Sequence, residues 1–262
     1  MVTDPFARPS AAVPNLRDLG ERPVAGGGRL PAGRLFRSGE PTGPAAAADL
    51  SRLGLAAVVD LRTAGEVAQR PDRLPDGVAY RHLDVLADMP PAMAEGQAQL
   101  MSDPVAFADT FGRVDPVAQM RRTYTELVVA PAARAAYAGL VRTVLEADGA
   151  PVLVHCTAGK DRTGWAVTVL LLAAGVQDGA VRAEYLAVNP AVRAAFAPLL
   201  ARYTAAGAPP AMLVPMLEVR GEYLDAALTS VDDTFGGFDG YLRDGLGLTA
   251  DETAALRVLL VR

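Results

Sequence analysis

Pro151-Val152-Leu153-Val154-His155-Cys156-Thr157-Ala158-Gly159-Lys160-Asp161-Arg162-Thr163-Gly164-Trp165 reads as a buried strand, a tight loop and the first turn of a helix. The run 151–155 is short, apolar and Val-rich, as a strand covered on both faces is. Thr163 to Ala174 follows as an apolar helix stopped by Gly175. The connection 156–162 therefore leaves the carboxyl end of a strand for a helix N-terminus, where α/β sheets bind ligands.

Composition draws attention to the same place. Lys160 is the single lysine among 25 basic residues, and the sole cysteine (Cys156), the sole tryptophan (Trp165) and one of two histidines (His155) lie within five positions of it. Cys156 and Arg162 form a C-x5-R pair with Ala158 and Gly159 between them. Small residues let a loop turn its N–H groups inward, and with the positive helix end they make a nest for a phosphate dianion. Thr157, Ala158, Gly159, Lys160, Asp161 and Arg162 are the expected phosphate-binding set. The same field suits a nucleophilic sulfur anion at Cys156. Arg162 offers a planar fork to two phosphoryl oxygens. Thr163 is placed to hydrogen-bond the sulfur as it leaves, and His155 to lock the loop onto a backbone carbonyl. Lys160 reads as a loop-tip residue or as an extra cation for substrate.

Working outward, Leu55 to Asp60 and Val78 to Leu83 read as two further strands, and Pro44 to Leu53 as a helix. Pro116 to Val129 and Pro131 to Ala147 are predicted helices, each opened by a proline whose missing N–H costs little there. The first forty residues, rich in Pro, Gly and Arg, read as loops with short strands. The stretch from Asp88 to about Asp115 holds three of seven methionines and broken helical patterning. It reads as a lid or insertion, about 88–130. Beyond the loop the chain is nearly all helix, ending in a capping box at Thr249-Ala250-Asp251-Glu252. With 262 residues, one domain over 1–262 is the expectation.

Other classes drop out one at a time. A net charge of −5 gives no support to a nucleic-acid partner. One cysteine forbids an internal disulfide, and two histidines offer no zinc-type ligand cluster, so no metal and no organic cofactor is expected. The apolar run Trp165 to Val176 is too short to span a bilayer, and the first residues lack a signal-peptide core. Expected locations are the cytoplasm, or export without a recognisable signal peptide. A nucleotide P-loop would need glycine where Val154 stands and a hydroxyl where Asp161 stands. A rhodanese-type sulfurtransferase also uses a cysteine loop, but the spacing to Arg162 and the following Thr163 suit phosphate esters better.

HCTAGKDRTG resembles the signature loop of the cysteine-dependent protein tyrosine phosphatase superfamily, and within it the bacterial branch with AGKDRTG loops. The likeness extends to PNLRDLG at 14–20, GRLFRSG at 33–39, VVDLRTAGEVA at 58–68 and the segment 220–248. It implies a central, mostly parallel sheet of about four strands wrapped by helices, with a helical lid. It implies hydrolysis of phosphotyrosine proteins through a phosphocysteine, with action on phosphoserine or phosphoinositides. The alternative is a catalytically weak phosphoinositide or phosphoprotein binding module that keeps the loop as a nest.

One carboxyl group must protonate the leaving oxygen. In many relatives an aspartate after the strand corresponding to Val78 to Leu83 does so, which points to Asp84 or, better placed, Asp88. Asp161 inside the loop ranks level with Asp88. Asp60, at a strand end, reads more readily as a structural partner of Arg62 or Arg17.

Overall fold

The structure is a computed structural model that describes residues 10, 12–89 and 115–261. Its strands are β1 (Arg17–Asp18), β2 (Leu35–Ser38), β3 (Ala57–Asp60), β4 (Ala79–His82) and β5 (Val152–His155). The helices are α1 (Ala46–Ser51), α2 (Ala64–Gln69), α3 (Pro116–Val129), α4 (Pro131–Glu146), α5 (Asp161–Ala173), α6 (Asp178–Leu186), α7 (Asn189–Ala205), α8 (Pro210–Leu217), α9 (Gly221–Phe235) and α10 (Ala250–Val261). A short helical turn, Phe238–Gly240, runs into a π-helical segment at Tyr241–Gly245 before α10.

The sheet runs β1-β2-β5-β3-β4. β2, β5, β3 and β4 are parallel, and only β1 is antiparallel to its neighbour. The expected mostly parallel sheet wrapped by helices is therefore present. Its fifth member is the two-residue β1, which no pattern of residues could announce. Register matters more for the site: Ser38 and Asp60 both pair with His155, and Asp60 also pairs with His82. Four strands thus end level, and the segments after each of them leave from one edge of the sheet.

Side-chain alternation divides the core. Leu35, Ala57, Val59, Val152 and Val154 face the larger cluster beneath α3, α4, α5 and α9. Phe36, Val58 and Leu153 face a smaller one with Val13, Leu16 and Leu50. Both faces are covered, which is why β5 is apolar from Val152 to Val154. α5 is buried on nearly every side, from Thr163 through Leu171, as a helix that is apolar all round must be. α7 and α8 form a small core of their own from Tyr203, Ala208, Leu213 and Leu217.

α3 begins at Pro116, as the sequence predicts, and Asp115 caps it through the amides of Val117 and Ala118. The Thr249 and Glu252 capping box also forms, with reciprocal bonds of 2.8 and 3.1 Å. Within the expected lid span of 88–130, residues 90–114 lie outside the described residues. Pro116–Val129 is a helix that sets Met120, Tyr124, Leu127 and Val128 into the main core. Among the described residues no single helix is long and apolar enough to cross a membrane. Only α3 and α4 jointly reach that length and composition, across a bend of 61°.

Candidate active site

The loop after β5 is held open by its own carbonyl groups, which are tied outward. Thr157 O accepts the Glu40 amide at 3.0 Å. Gly159 O accepts Arg37 Nη2 at 2.5 Å and Asn15 Nδ2 at 3.0 Å. Glycine at 159 is demanded twice: its φ is +66°, and a Cβ there would sit 2.3 Å from Ser38 O. With the carbonyls drawn out, the N–H groups of residues 157–162 donate to no acceptor among the described residues. They stand at the N-terminus of α5 beside Cys156, a buried free thiol. That is the arrangement an anion-binding nest requires.

Arg37 is fully buried and belongs to a charge cluster behind the loop. Glu184 of α6 receives Arg17, Arg22 and Arg37, the last at 3.3 Å. Three early arginines therefore converge on one carboxylate, and one of them carries the strut to Gly159. The segments 14–20 and 33–39, singled out above only by resemblance, meet at this point.

Arg162 directs its fork at Glu66 of α2, with Nη1 2.7 Å from Oε2 and Nη2 2.8 Å from Oε1. Thr157 Oγ1 donates to Oε1 of the same carboxylate. Glu66 also closes a capping box, accepting Thr63 N at 2.8 Å while its own amide bonds Thr63 Oγ1 at 3.2 Å. Burial pushes the Glu66 carboxyl upward, but the bonds and charge of Arg162, with Thr157, outweigh it and hold the group well below the usual carboxylate range. For Arg162, burial works against the charge, and Glu66 and the Cys156 sulfur more than restore it. The end-on face of the guanidinium is thus occupied by Glu66, Nη2 also reaches Thr157 Oγ1 at 3.3 Å, and Nε donates to no acceptor among the described residues. Glu66 was not found by sequence reasoning; the Thr63 to Glu66 spacing signals a helix cap but nothing about Arg162.

The expected acids are dispersed. Asp161 is the first residue of α5, where the loop ends, and there Tyr124 Oη donates to Oδ1 at 2.9 Å and Lys160 Nζ stands 3.1 Å from Oδ2. Burial first, and then Asp161, pushes the Tyr124 phenol well above its ordinary value, so it remains a donor. Asp88 caps α4 through Ala132 N at 2.6 Å. Asp84 accepts Ala64 N at 3.2 Å and Leu86 N at 2.8 Å, at the start of α2. Asp60 is sealed beneath the loop, bonded to Arg62 Nη2 at 2.7 Å and to Tyr80 Oη at 2.9 Å. That matches the structural partnership with Arg62 read from the sequence.

Lys160 Nζ is directed at Met216 O, 2.5 Å away at the end of α8, as well as at Asp161. It is buried, and tethers α8 to the loop. His155 Nδ1 is 3.3 Å from Cys156 O, and Nε2 is 2.9 Å from Asp72 Oδ2. Thr163 Oγ1 is buried and makes no hydrogen bond among the described residues. Asp60, Asp72 and His155 bring ligand-type atoms within 4.8 Å of one another. Arg62 already donates to both carboxylates, at 2.7 and 2.6 Å. Its guanidinium supplies there the positive charge that a metal ion would otherwise bring.

Comparison with known proteins agrees in extent with these features. A family described as the tyrosine phosphatase family matches residues 9–262. A Cupriavidus necator protein whose name assigns it to the tyrosine-protein phosphatases is 40% identical over 237 residues, 89% of this chain and 82% of the relative. The triple specificity protein phosphatase PtpB of Mycobacterium tuberculosis is 35% identical over 254 residues, 88% of this chain and 90% of that one. A tyrosine-protein phosphatase of Nostoc commune is 30% identical over 225 residues, 80% and 68% of the two chains.

Proposed function

This chain belongs to the tyrosine phosphatase family, and from that premise we propose that it hydrolyses phosphotyrosine through a phosphocysteine on Cys156, with phosphoserine and phosphoinositide esters as further substrates. It is a cysteine-dependent phosphatase, a hydrolase. The observation that carries the mechanism is the loop itself: carbonyls tied outward, amides uncommitted, a buried free cysteine at one end and Arg162 at the other.

Cys156 Sγ, as thiolate, attacks phosphorus while the bond from phosphorus to the ester oxygen breaks. The departing oxygen takes a proton from Asp161. The amides of residues 157–162 and the Nε edge of Arg162 hold the equatorial oxygens as charge spreads over them. Water then attacks phosphorus, Asp161 receives its proton, and sulfur departs as thiolate with a hydrogen bond from Thr163. Asp161 is favoured over Asp88 because it stands where the loop enters α5, next to Arg162, whereas Asp88 holds the Ala132 amide. Glu66 is a positioning residue for Arg162, and His155 for the Cys156 carbonyl.

The test is phosphate release in EDTA and reductant from p-nitrophenyl phosphate, phosphotyrosine and phosphoserine peptides, and phosphatidylinositol phosphates. Turnover of the first two at least is expected, and the ranking defines substrate breadth. Tight binding of all of them without turnover would favour the phosphate-binding module instead.

A further inference from the structure

Beside the phosphate loop lies a cavity of about 400 Å³ that the mechanism above does not use. Thr157 and Ala158 of the loop form one wall. Ala191, Val192, Ala195 and Phe196 of α7 form the facing one. On a helix, positions i, i+1, i+4 and i+5 make one stripe, so α7 offers a continuous apolar strip here. At the mouth Glu40 and Arg70 are paired, Nη1 to Oε1 at 2.8 Å, with Arg70 reaching into solvent.

We propose that this cavity is a specificity site that takes a large aliphatic or aromatic side chain adjacent to the phosphotyrosine of a polypeptide substrate. The inference rests on the phosphatase reading above and deepens it. Contiguity is the main argument. Two residues line both the phosphate nest and the cavity, so a phosphoryl group held by the loop brings its neighbours to the cavity mouth. Composition is the second. The α7 strip, with Ala12, Pro14 and Ala158, makes most of the lining apolar, with Asn15, Thr42 and Thr157 as polar neighbours, so burial of apolar surface is the main driving force on offer. Size is the third, because 400 Å³ lies at the lower end of ligand-pocket volumes and accepts one large side chain. The Glu40 and Arg70 pair already satisfies both charges at the mouth, which leaves a charged neighbour without a counter-ion there.

The experiment measures kcat/KM for wild type, Ala191→Phe and Ala195→Phe. Both substitutions fall on the exposed side of α7, where a larger residue fills the cavity without entering a packed core. Substrates are p-nitrophenyl phosphate and phosphotyrosine peptides in which Leu, Ala or Glu is walked through the positions flanking the phosphotyrosine. At one position Leu should exceed Ala and Glu by about tenfold. Both variants, each referred to its own turnover of p-nitrophenyl phosphate, should lose that preference. Equal kcat/KM for every peptide while p-nitrophenyl phosphate is turned over would overturn the specificity site and leave the phosphatase reading intact. A preference that survives both substitutions would overturn it too. So would a loss confined to long-chain phosphoinositides relative to their soluble head groups, which would assign the cavity to an acyl chain. No turnover of any substrate would overturn the phosphatase reading itself.

Discussion

Glu66→Gln isolates the contact on which the position of Arg162 depends. The amide keeps an acceptor for Thr63 N, so the cap of α2 survives, while the charge facing the guanidinium is removed. Removing one partner of a fully desolvated ion pair costs about 3–5 kcal/mol. Here 28% of the Glu66 side chain and 14% of the Arg162 side chain are exposed. Solvent screening then brings the expected loss to about 1–2 kcal/mol. For a chain of this size that lowers Tm by roughly 2–4 °C per kcal/mol. Catalysis should suffer more than stability, because a displacement of about 1 Å in a catalytic group costs on the order of 10²-fold. We expect kcat on p-nitrophenyl phosphate to fall tenfold to a hundredfold with a smaller change in KM. The pH dependence has a definite sign. The folded-state pKa of Glu66 is depressed, so its contribution is complete above the unfolded value of about 4.3 and is lost as pH falls further toward the folded one. The stability gap between wild type and Glu66→Gln should therefore be widest at neutral pH and close in acid. Steady-state kinetics and urea unfolding across that range are the assays. A variant with wild-type kcat and a gap that does not change with pH would refute the positioning role.

Gly159→Ala forces a side chain at φ +66° into Ser38 O and should distort the loop, lowering kcat by at least tenfold in steady-state assays, with loss of phosphate affinity by calorimetry. Glu184→Gln removes the carboxylate that gathers Arg17, Arg22 and Arg37, and urea unfolding should show a loss of about 3–5 kcal/mol because all the partners are buried. Asp161→Asn should slow phosphoserine peptides far more than p-nitrophenyl phosphate, whose leaving group needs no proton. Asp88→Ala should instead cost about 1 kcal/mol of stability through the lost cap on α4, with little change in that ratio.

What was legible in the sequence was local. The strand, loop and helix around Cys156 declare themselves within fifteen residues, and prolines at 116 and 131 mark the helix starts because proline is tolerated at a first turn. Strand edges read from apolar runs fell within two residues of the observed ones, as hydrogen bonding rather than hydrophobicity sets where pairing stops. What was missed lies in convergence across the chain. Glu66 and Arg162 are 96 residues apart, and Arg37 meets Glu184 across 147, so neither has a spacing to read. In HCTAGKDRTG alone Lys160 reads as a loop tip or a substrate cation, and nothing there shows that Met216 O accepts its ammonium. Asp161 and Asp88 were equal as carboxylates in a sequence. They separate only when one is seen beside Tyr124 and the other on a helix cap.

The account turns on a covalent bond between Cys156 and phosphorus. Acid quenching during turnover of a phosphotyrosine peptide, followed by mass spectrometry of the peptide that contains Cys156, should show the mass of one HPO₃ on that cysteine, and Cys156→Ser should release no phosphate. Unmodified Cys156 throughout turnover, or a Cys156→Ser variant that still releases phosphate, would contradict it.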